Sequence, residues 1–263
     1  MPGEGRVLLG AELRSTSQNP SLDAPHEVRH RRGRRRRHGA CANQGLANTV
    51  GRRASKAGSG TESGHRILCV YPATIASVDK SDEAKVVATL VSAFIADPVE
   101  RWLFAEPLQY LTQFARFVAA FGSGGFESET VFSLGNFAAV AIWIPPGADP
   151  DADAIVAVLS ESVPAEQQAD TFSVLEQMDA AHPQDLHWYL PWLGVDSARQ
   201  GGGLGAELLT QCLARVDADH LPAFLETPNP RTVPFYERHG FAVTSVSQAG
   251  ACPPVTSMRR PAG

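Results

Sequence analysis

The stretch Gln200-Gly201-Gly202-Gly203-Leu204-Gly205-Ala206 decides the fold, because it is a glycine-rich turn between a strand pattern and a helix pattern. Residues 187–195, HWYLPWLGV, are aromatic and apolar and predict a strand. Apolar residues at helical spacing from Leu204 to Val216 predict an amphipathic helix. Backbone N–H groups without intrahelical partners point out of a helix N-terminus, and glycines allow an anion to approach them closely. The turn therefore predicts a pyrophosphate-binding site.

A dinucleotide-binding fold is the alternative interpretation of the same turn. Gly201, Gly203 and Ala206 fit the pattern G-x-G-x-x-A, and Glu226 follows Ala206 at the distance expected of a ribose-binding acid. That pattern normally opens a nucleotide-binding domain, whereas only roughly 60 residues follow it here. A Walker phosphate loop is excluded, because no Lys followed by Ser or Thr comes after the glycines.

The remaining patterns predict a mixed α+β fold with most strands in one sheet. We expect a helix over 86–95 behind an N-cap at Ser81 that ends at Asp97-Pro98, and a hairpin of residues 130–134 and 137–144. Further helical patterns cover 102–121, 155–159, 165–178 and 231–238, and further strand patterns cover 67–71, 74–78, 223–226, 241–246 and 255–258.

Charge divides the chain into two parts. Residues 1–65 contain 12 Lys and Arg but 5 Asp and Glu, whereas residues 66–263 contain 11 and 23. The first part has almost no aromatic residues, and we expect a disordered basic extension over 1–65 and one folded domain over 66–263. The arginines of 29–37 could bind nucleic acid or anionic lipid, but no aromatic residue alternates with them, so a nucleic-acid partner is not expected.

Several classes of protein do not fit this sequence. The longest apolar run, Phe137–Pro146, is about half the length of a membrane-spanning helix. The four cysteines are far apart, without a C-x-x-C pair or histidines at zinc spacing, so we expect neither a disulfide scaffold nor a metal site. The amino terminus has only Val7–Ala11 as an apolar stretch, which is too short for a signal peptide's apolar region, and a cytoplasmic location is therefore expected.

Two motifs resemble those of the GNAT superfamily of acetyl-CoA-dependent N-acetyltransferases. Gln200–Gly205 looks like the pyrophosphate motif (Q/R)-x-x-G-x-(G/A) of that family, and Asn229–Phe241 resembles its closing motif N-x(6)-Y-E-(K/R)-x-G-F. Within the family, residues 222–227 and 234–238 are similar to puromycin N-acetyltransferase and its relatives.

The resemblance implies a layered α/β/α fold. Its mostly antiparallel sheet would open in a V between two parallel strands, here residues 188–195 and 223–227. Acetyl-CoA would bind there as co-substrate. The coenzyme-binding residues implied in this way are Leu193, Gly194, Val195, Gln200, Gly201, Gly202, Gly203, Leu204, Gly205, Ala206, Asn229 and Tyr236.

The same resemblance implies that Tyr236 is the general acid that protonates the departing thiolate, a role that suits tyrosine because it stays protonated at neutral pH. Asn229 could alternatively serve only as an Asn-Pro turn. Glu226 is the first candidate for the base that deprotonates the acceptor, and the rivals are Asp185, His187 and His239. The aromatic residues that could form an acceptor wall are Trp102, Tyr110, Trp143 and Trp188.

The sequence thus predicts direct transfer of an acetyl group to a primary amine of a small molecule. The acidic folded part favours a cationic acceptor. We expect a monomer or homodimer without a membrane partner. A non-catalytic acyl-CoA-binding or regulatory module remains the alternative, and a nucleic-acid-associated protein acting through the arginines is a further one.

Overall fold

The computed structural model describes residues 74–263. The expected basic extension over 1–65 and the strand expected at 67–71 lie outside these residues and remain predictions.

The described chain alternates short helices with seven strands. The helices are α1 (Glu83–Ala93), α2 (Pro98–Leu103), α3 (Pro107–Gln109), α4 (Ala115–Phe121), α5 (Ser123–Glu127), α6 (Ala152–Ser162), α7 (Ala165–Ala181), α8 (Leu204–Val216) and α9 (Val233–Glu237). A π-helical turn, Tyr110–Phe114, joins α3 to α4. The strands are β1 (Ala76–Ser77), β2 (Val131–Leu134), β3 (Ala139–Ile144), β4 (Trp188–Val195), β5 (Ala223–Thr227), β6 (Ala242–Ser247) and β7 (Val255–Arg260).

The strands form one sheet in the order β1-β2-β3-β4-β5-β7-β6. Only β4 and β5 are parallel, and every other neighbouring pair within the described sheet is antiparallel. This arrangement confirms the predicted GNAT fold, a mostly antiparallel sheet with one parallel pair. The dinucleotide-binding interpretation of Gly201, Gly203 and Ala206 is wrong, because that fold requires a mostly parallel sheet.

The parallel pair separates because β4 carries a bulge. Tyr189 pairs with Ile144 and Trp192 with Ile142, so Leu190 and Pro191 together oppose a single residue of β3. A bulge bends its strand, and Pro191 has no N–H to donate to a neighbouring strand. Pairing between β4 and β5 accordingly stops after Tyr189 and Phe224, although both strands continue. A V-shaped opening follows from this local bend.

Apolar side chains bury both faces of the sheet and give the layered architecture. On one face lie α1, α2, α4, α6 and α7, with Leu90, Phe117, Leu159, Val174 and Trp192 in the core. On the other face α8 buries Leu204, Leu208, Leu209, Cys212, Leu213 and Val216. Each fully buried aliphatic side chain contributes about 1.5–3 kcal/mol. This packing fixes the N-terminus of α8 beside the opening.

Three local predictions need correction. The N-cap of α1 is Asp82, and Ser81 lies in a preceding 3-10 turn, Lys80–Asp82. The second helical stretch begins at Pro98 instead of residue 102, because the Asp97 side chain accepts hydrogen bonds from the first backbone N–H groups and proline suits the first helical position. The second hairpin strand begins at Ala139, since Asn136 and Phe137 have positive φ angles.

Candidate active site

One cavity of about 870 Å³ occupies the V-shaped opening and extends between the sheet and the helices of the α1 face. Eleven of the twelve residues predicted to bind the coenzyme line it, the exception being Gly202, and Glu226 lines it too. The opening of the sheet brings these residues together from β4, β5, α8 and α9. Their individual roles remain predictions.

The N-terminus of α8 forms one end of this cavity. Gly201 and Gly203 have φ angles of 77° and 86°, and a Cβ atom at either position would meet nothing within 4 Å. Gly203 is the N-cap residue and has no side chain with which to cap the helix. The first N–H groups of α8 lie before its first intrahelical hydrogen bond, from Glu207 N to Gly203 O, so they can receive an anion.

Basic side chains also line this cavity. Arg199, Arg231 and Arg238 are exposed on its rim. Arg199 immediately precedes the glycine-rich turn, and the three guanidinium groups add positive charge to the rim. An anion that binds here would therefore meet both backbone dipoles and guanidinium groups.

Gly194 allows helix α1 to come close to the bent half of β4. A Cβ atom at Gly194 would lie 2.7 Å from Leu90 Cδ2 and 2.9 Å from the Cβ atom of Ala93. Next to it, the Gln200 side-chain amide donates a hydrogen bond to the carbonyl of Val195 over 3.1 Å. The hydrogen bond of Gln200 thus holds the glycine-rich turn to the end of β4, and the close contact at Gly194 packs β4 against α1.

Tyr236 of α9 reaches the cavity from the side of β5. Its ring packs edge-on against Phe235 and Phe241. Burial raises the pKa of the Tyr236 hydroxyl above its ordinary value, so the group stays protonated throughout the neutral range. A protonated hydroxyl at this position can donate a proton to a group in the cavity.

Glu226 of β5 faces the cavity with a largely buried carboxylate. Its side chain is 6 % exposed, and its Oε2 atom is buried without a hydrogen-bond partner among the described residues. Its Oε1 atom lies 3.7 Å from Nδ1 of His182. Burial, the negative charge of Glu226 and a hydrogen bond between the two side chains raise the pKa of the neighbouring Tyr189 well above its ordinary value. Glu226 can therefore accept a proton from a group in the cavity.

A second cavity of about 340 Å³ meets the first at Glu226. The two share Phe121, Leu175, Met178, Tyr189 and Glu226 as lining residues. His182 lines only the smaller cavity. Sequence reasoning missed His182, because a lone histidine in a connecting segment carries no signal for this contact.

Asn229 has the turn role given above as the alternative to coenzyme binding. Its Oδ1 atom accepts a hydrogen bond from Arg231 N over 3.1 Å and caps the 3-10 turn Pro230–Thr232. Asn229 also lines the larger cavity, so a contact with the coenzyme remains compatible with its position.

The rival bases lie outside the larger cavity. Asp185 pairs with Arg259, and His239 contacts the Phe235 carbonyl over 2.8 Å through Nδ1. His187 is 1 % exposed and contacts Nε2 of His182 over 2.9 Å. Glu226 is the one candidate base that lines the larger cavity.

The predicted acceptor wall is wrong, since Trp102, Tyr110, Trp143 and Trp188 line neither cavity. Tyr110 and Trp143 are buried in the two cores. The aromatic residues that do line the larger cavity on the α1 face are Phe94, Phe117, Phe121 and Trp192. The β4 bulge determines which strand residues reach this face.

Two buried carboxyl groups at the apolar end of the cavity were also missed. Burial raises the pKa of Asp97 to about 6 and that of Glu100 well above its ordinary range. The nearby charge of Asp97 raises the pKa of Glu100 further. The Asp97-Pro98 helix start was visible in the sequence, but burial beside a cavity was not.

Among residues 74–263, no group of three or more His, Cys, Asp or Glu side chains is placed to hold a metal ion. In the same range, no helix combines the length and the apolar character that a membrane crossing needs.

Comparison with known proteins identifies relatives of this fold. Residues 159–261 match the family model described as the acetyltransferase (GNAT) domain. An uncharacterized N-acetyltransferase of Schizosaccharomyces pombe is 26 % identical over 196 residues, which cover 62 % of this chain and 72 % of that protein.

Two solved structures are similar over 72 % of the chain. The Corynebacterium glutamicum structure described as histone acetyltransferase HPA2 and related acetyltransferase is 22 % identical, with 96 % of it covered and a TM-score of 0.53. Arylalkylamine N-acetyltransferase 2 from Aedes aegypti is 13 % identical, with 99 % covered and a TM-score of 0.51. At these identities the two structures establish the fold.

Proposed function

We propose that this chain, whose residues 159–261 match the acetyltransferase (GNAT) domain model, transfers an acetyl group from acetyl-CoA directly to a primary amine of a small molecule. The observation that carries this proposal is the single cavity that joins the N-terminus of α8 to Tyr236 and Glu226. An anion site, a proton donor and a proton acceptor therefore face one space.

The residues at the α8 end fit the diphosphate of the coenzyme. The N–H groups of Leu204, Gly205 and Ala206 precede the first intrahelical bond of α8, and Gly201 and Gly203 leave the space in front of them open. Their backbone dipoles and the rim arginines would hold the diphosphate. Leu193, Gly194 and Val195 lie where the strand pairing of β4 with β5 has ended, so this edge of β4 can receive the pantetheine arm as a strand would.

Acid and base assignments follow from protonation state and position. The amine must lose a proton before it attacks, and Glu226 offers a buried carboxylate oxygen without a hydrogen-bond partner among the described residues. The departing thiolate needs a proton, and Tyr236 has its hydroxyl proton available at neutral pH. The coenzyme supplies the activated acetyl group, and direct transfer needs no covalent intermediate on the protein.

The acceptor would occupy the end of the cavity on the α1 face. Phe117, Phe121, Leu175, Met178 and Trp192 give this end an apolar lining. An amine with an apolar body fits such walls, with its nitrogen directed toward Glu226. The motif similarity to puromycin N-acetyltransferase makes puromycin one member of the acceptor panel, beside arylalkylamines and short aliphatic amines.

A thiol-release assay tests the proposal. Purified protein is incubated with acetyl-CoA and each amine, released thiol is measured, and the acetylated product is identified by mass spectrometry. We expect amine-dependent thiol release and a product mass increased by one acetyl group. Calorimetry with coenzyme A and with a nicotinamide dinucleotide runs in parallel, and only coenzyme A should bind. Coenzyme A binding without turnover on any amine would instead favour a non-catalytic acyl-CoA-binding module.

A further inference from the structure

A row of polar groups leads away from Glu226 at the apex of the V-shaped opening. Nδ1 of His182 lies 3.7 Å from Glu226 Oε1, and Nε2 of His182 lies 2.9 Å from Nε2 of His187. Nδ1 of His187 lies 2.7 Å from the backbone carbonyl oxygen of Asp185. The row thus runs from the larger cavity to a backbone acceptor through two imidazole rings.

The backbone carbonyl fixes the tautomers of both rings. A carbonyl oxygen can only accept, so Nδ1 of His187 carries a hydrogen and donates it to Asp185. In neutral His187 the other nitrogen, Nε2, is then an acceptor, which requires Nε2 of His182 to be the donor. In neutral His182 the remaining nitrogen, Nδ1, therefore directs a lone pair toward Glu226. The row lacks one proton and has a place for it at Nδ1 of His182.

Packing holds His182 at the point where the strands separate. Its ring lies edge-on against Tyr189 and Phe224, the last residue pair of β4 and β5 before the opening. The side chain is 21 % exposed and lines the smaller cavity, whereas His187 beneath it is buried. His182 therefore connects the buried carboxylate of Glu226 with a space that reaches exposed residues at the protein surface.

The charged groups around His182 are mostly carboxylates. Glu226 faces it from β5, Tyr189 from β4 and His187 from the residue before β4. Asp179 lies near it at the end of α7. Asp149, Asp151 and Asp153 line the smaller cavity from the segment that begins α6, and neither Lys nor Arg is among the residues that line this cavity.

We propose that His182 receives the proton that Glu226 removes from the acceptor, and that His187 is a positioning residue that keeps Nδ1 of His182 unprotonated at rest. This proposal rests on the proposed acetyltransferase function. The ammonium of the acceptor gives a proton to Glu226 Oε2. The carboxyl group then rotates so that this hydrogen faces His182, and the proton passes to Nδ1 of His182. The imidazolium then releases it to water through the smaller cavity.

The proton balance of the reaction requires such an outlet. The neutral amine attacks the thioester carbonyl carbon, a C–N bond forms and the C–S bond breaks with its electron pair on sulfur. The Tyr236 hydroxyl protonates that sulfur, and the second proton lost by the nitrogen restores Tyr236. One ammonium and one thioester thus give an amide, a thiol and one released proton, which is the proton assigned to His182.

The variant His182→Gln tests the catalytic part. A glutamine amide can still donate to Nε2 of His187, but its carbonyl oxygen does not take up a proton near neutral pH. At pH 7 we expect kcat for the acceptor to fall about 10²-fold, in the range of general base catalysis, with the KM for acetyl-CoA unchanged. Activity of the variant should continue to rise with pH after that of the wild type has levelled off, because the acceptor itself deprotonates.

His220→Asn is the matched control. His220 is exposed, outside both cavities and at a φ of 54°, which asparagine tolerates, so this variant should keep the wild-type pH profile. A wild-type pH profile for His182→Gln would overturn the relay while leaving the acetyltransferase function intact. Absence of amine-dependent turnover in the wild type would refute both.

Nitrogen-15 NMR of the imidazole rings tests the structural part independently of any acceptor. At a pH where both rings are neutral, His187 should carry its hydrogen on Nδ1 and His182 on Nε2. In His187→Gln the tautomer preference of His182 should weaken, and kcat should fall with a smaller effect than in His182→Gln. A resting His182 with its hydrogen on Nδ1 would refute the proposed order of donors and acceptors.

Discussion

Replacing Gly203 by alanine tests the coenzyme cradle most directly. Gly203 caps α8 with a φ of 86°, and a Cβ atom there would meet nothing within 4 Å. The cost of Gly203→Ala therefore comes from backbone conformation alone. A left-handed conformation costs a residue with a Cβ atom roughly 1–2 kcal/mol.

This cost can appear in two measurable ways. If the free protein keeps the glycine-rich turn unchanged, the free energy of unfolding falls by about 1–2 kcal/mol and the affinity for coenzyme A is unaltered. If the turn of the free variant instead leaves the left-handed conformation, the free protein avoids the strain. The turn must then return to the strained conformation when coenzyme A binds. The Kd for coenzyme A then rises about 5- to 30-fold, because 1.4 kcal/mol corresponds to a factor of ten.

Gly202→Ala is the matched control, since Gly202 does not line the cavity and its φ is not positive. A Cβ atom there would make one ordinary contact of 3.6 Å with the Arg199 carbonyl oxygen. Calorimetric titration with coenzyme A and denaturant unfolding should therefore show Gly202→Ala close to wild type. The reasoning is refuted if Gly203→Ala changes neither quantity, or if Gly202→Ala has the larger effect.

Tyr236→Phe should lower kcat about 10²-fold with little change in coenzyme A affinity, because it removes a proton donor and keeps the ring packing; normal steady-state turnover across the pH range would contradict the assignment. Gly194→Ala should reduce the free energy of unfolding by about 1–3 kcal/mol in urea titrations, because its Cβ atom would overlap Leu90 and Ala93. Asp97→Asn keeps an N-cap acceptor for α2 but removes a carboxyl group whose pKa rises from 3.8 to about 6 on burial. Since the folded form of Asp97 binds its proton more tightly than the unfolded form, its contribution to stability is present below pH 3.8 and is lost as the pH rises to about 6. The stability of Asp97→Asn relative to wild type should therefore be greater at pH 7.5 than at pH 4, and an equal difference at both values would contradict it.

The parts of the site that the sequence could predict are those formed by neighbouring residues. The glycine-rich turn of Gln200–Ala206 leads into helix α8 through its own backbone, and a helix start leaves N–H groups without intrahelical partners wherever it occurs. The segment Asn229–Phe241 likewise forms its turn and the short helix α9 locally. The order of strand, turn and helix along the chain was therefore enough to predict the local structure of both segments.

Contacts across elements could not be predicted in this way. Trp188 and Trp192 are four residues apart in β4 and would share a face of a regular strand, yet Trp188 packs against the α8-side core and Trp192 lines the cavity on the opposite face. The bulge at Leu190 and Pro191 sets this difference, because an extra residue changes which side chains share a face. The acceptor wall assigned from aromatic content alone was wrong for this reason.

The sequence by itself determined the element order, the glycine-rich turn before α8 and the short helix that carries Tyr236, since each depends on backbone geometry over a few consecutive residues. Only the tertiary structure decided that the opening of β4 from β5 joins this turn to Glu226, and that the end of α7 brings His182 within 3.7 Å of that carboxylate. Proton transfer depends on distances of a few ångströms between residues far apart in the chain, and packing of the layers alone sets those distances.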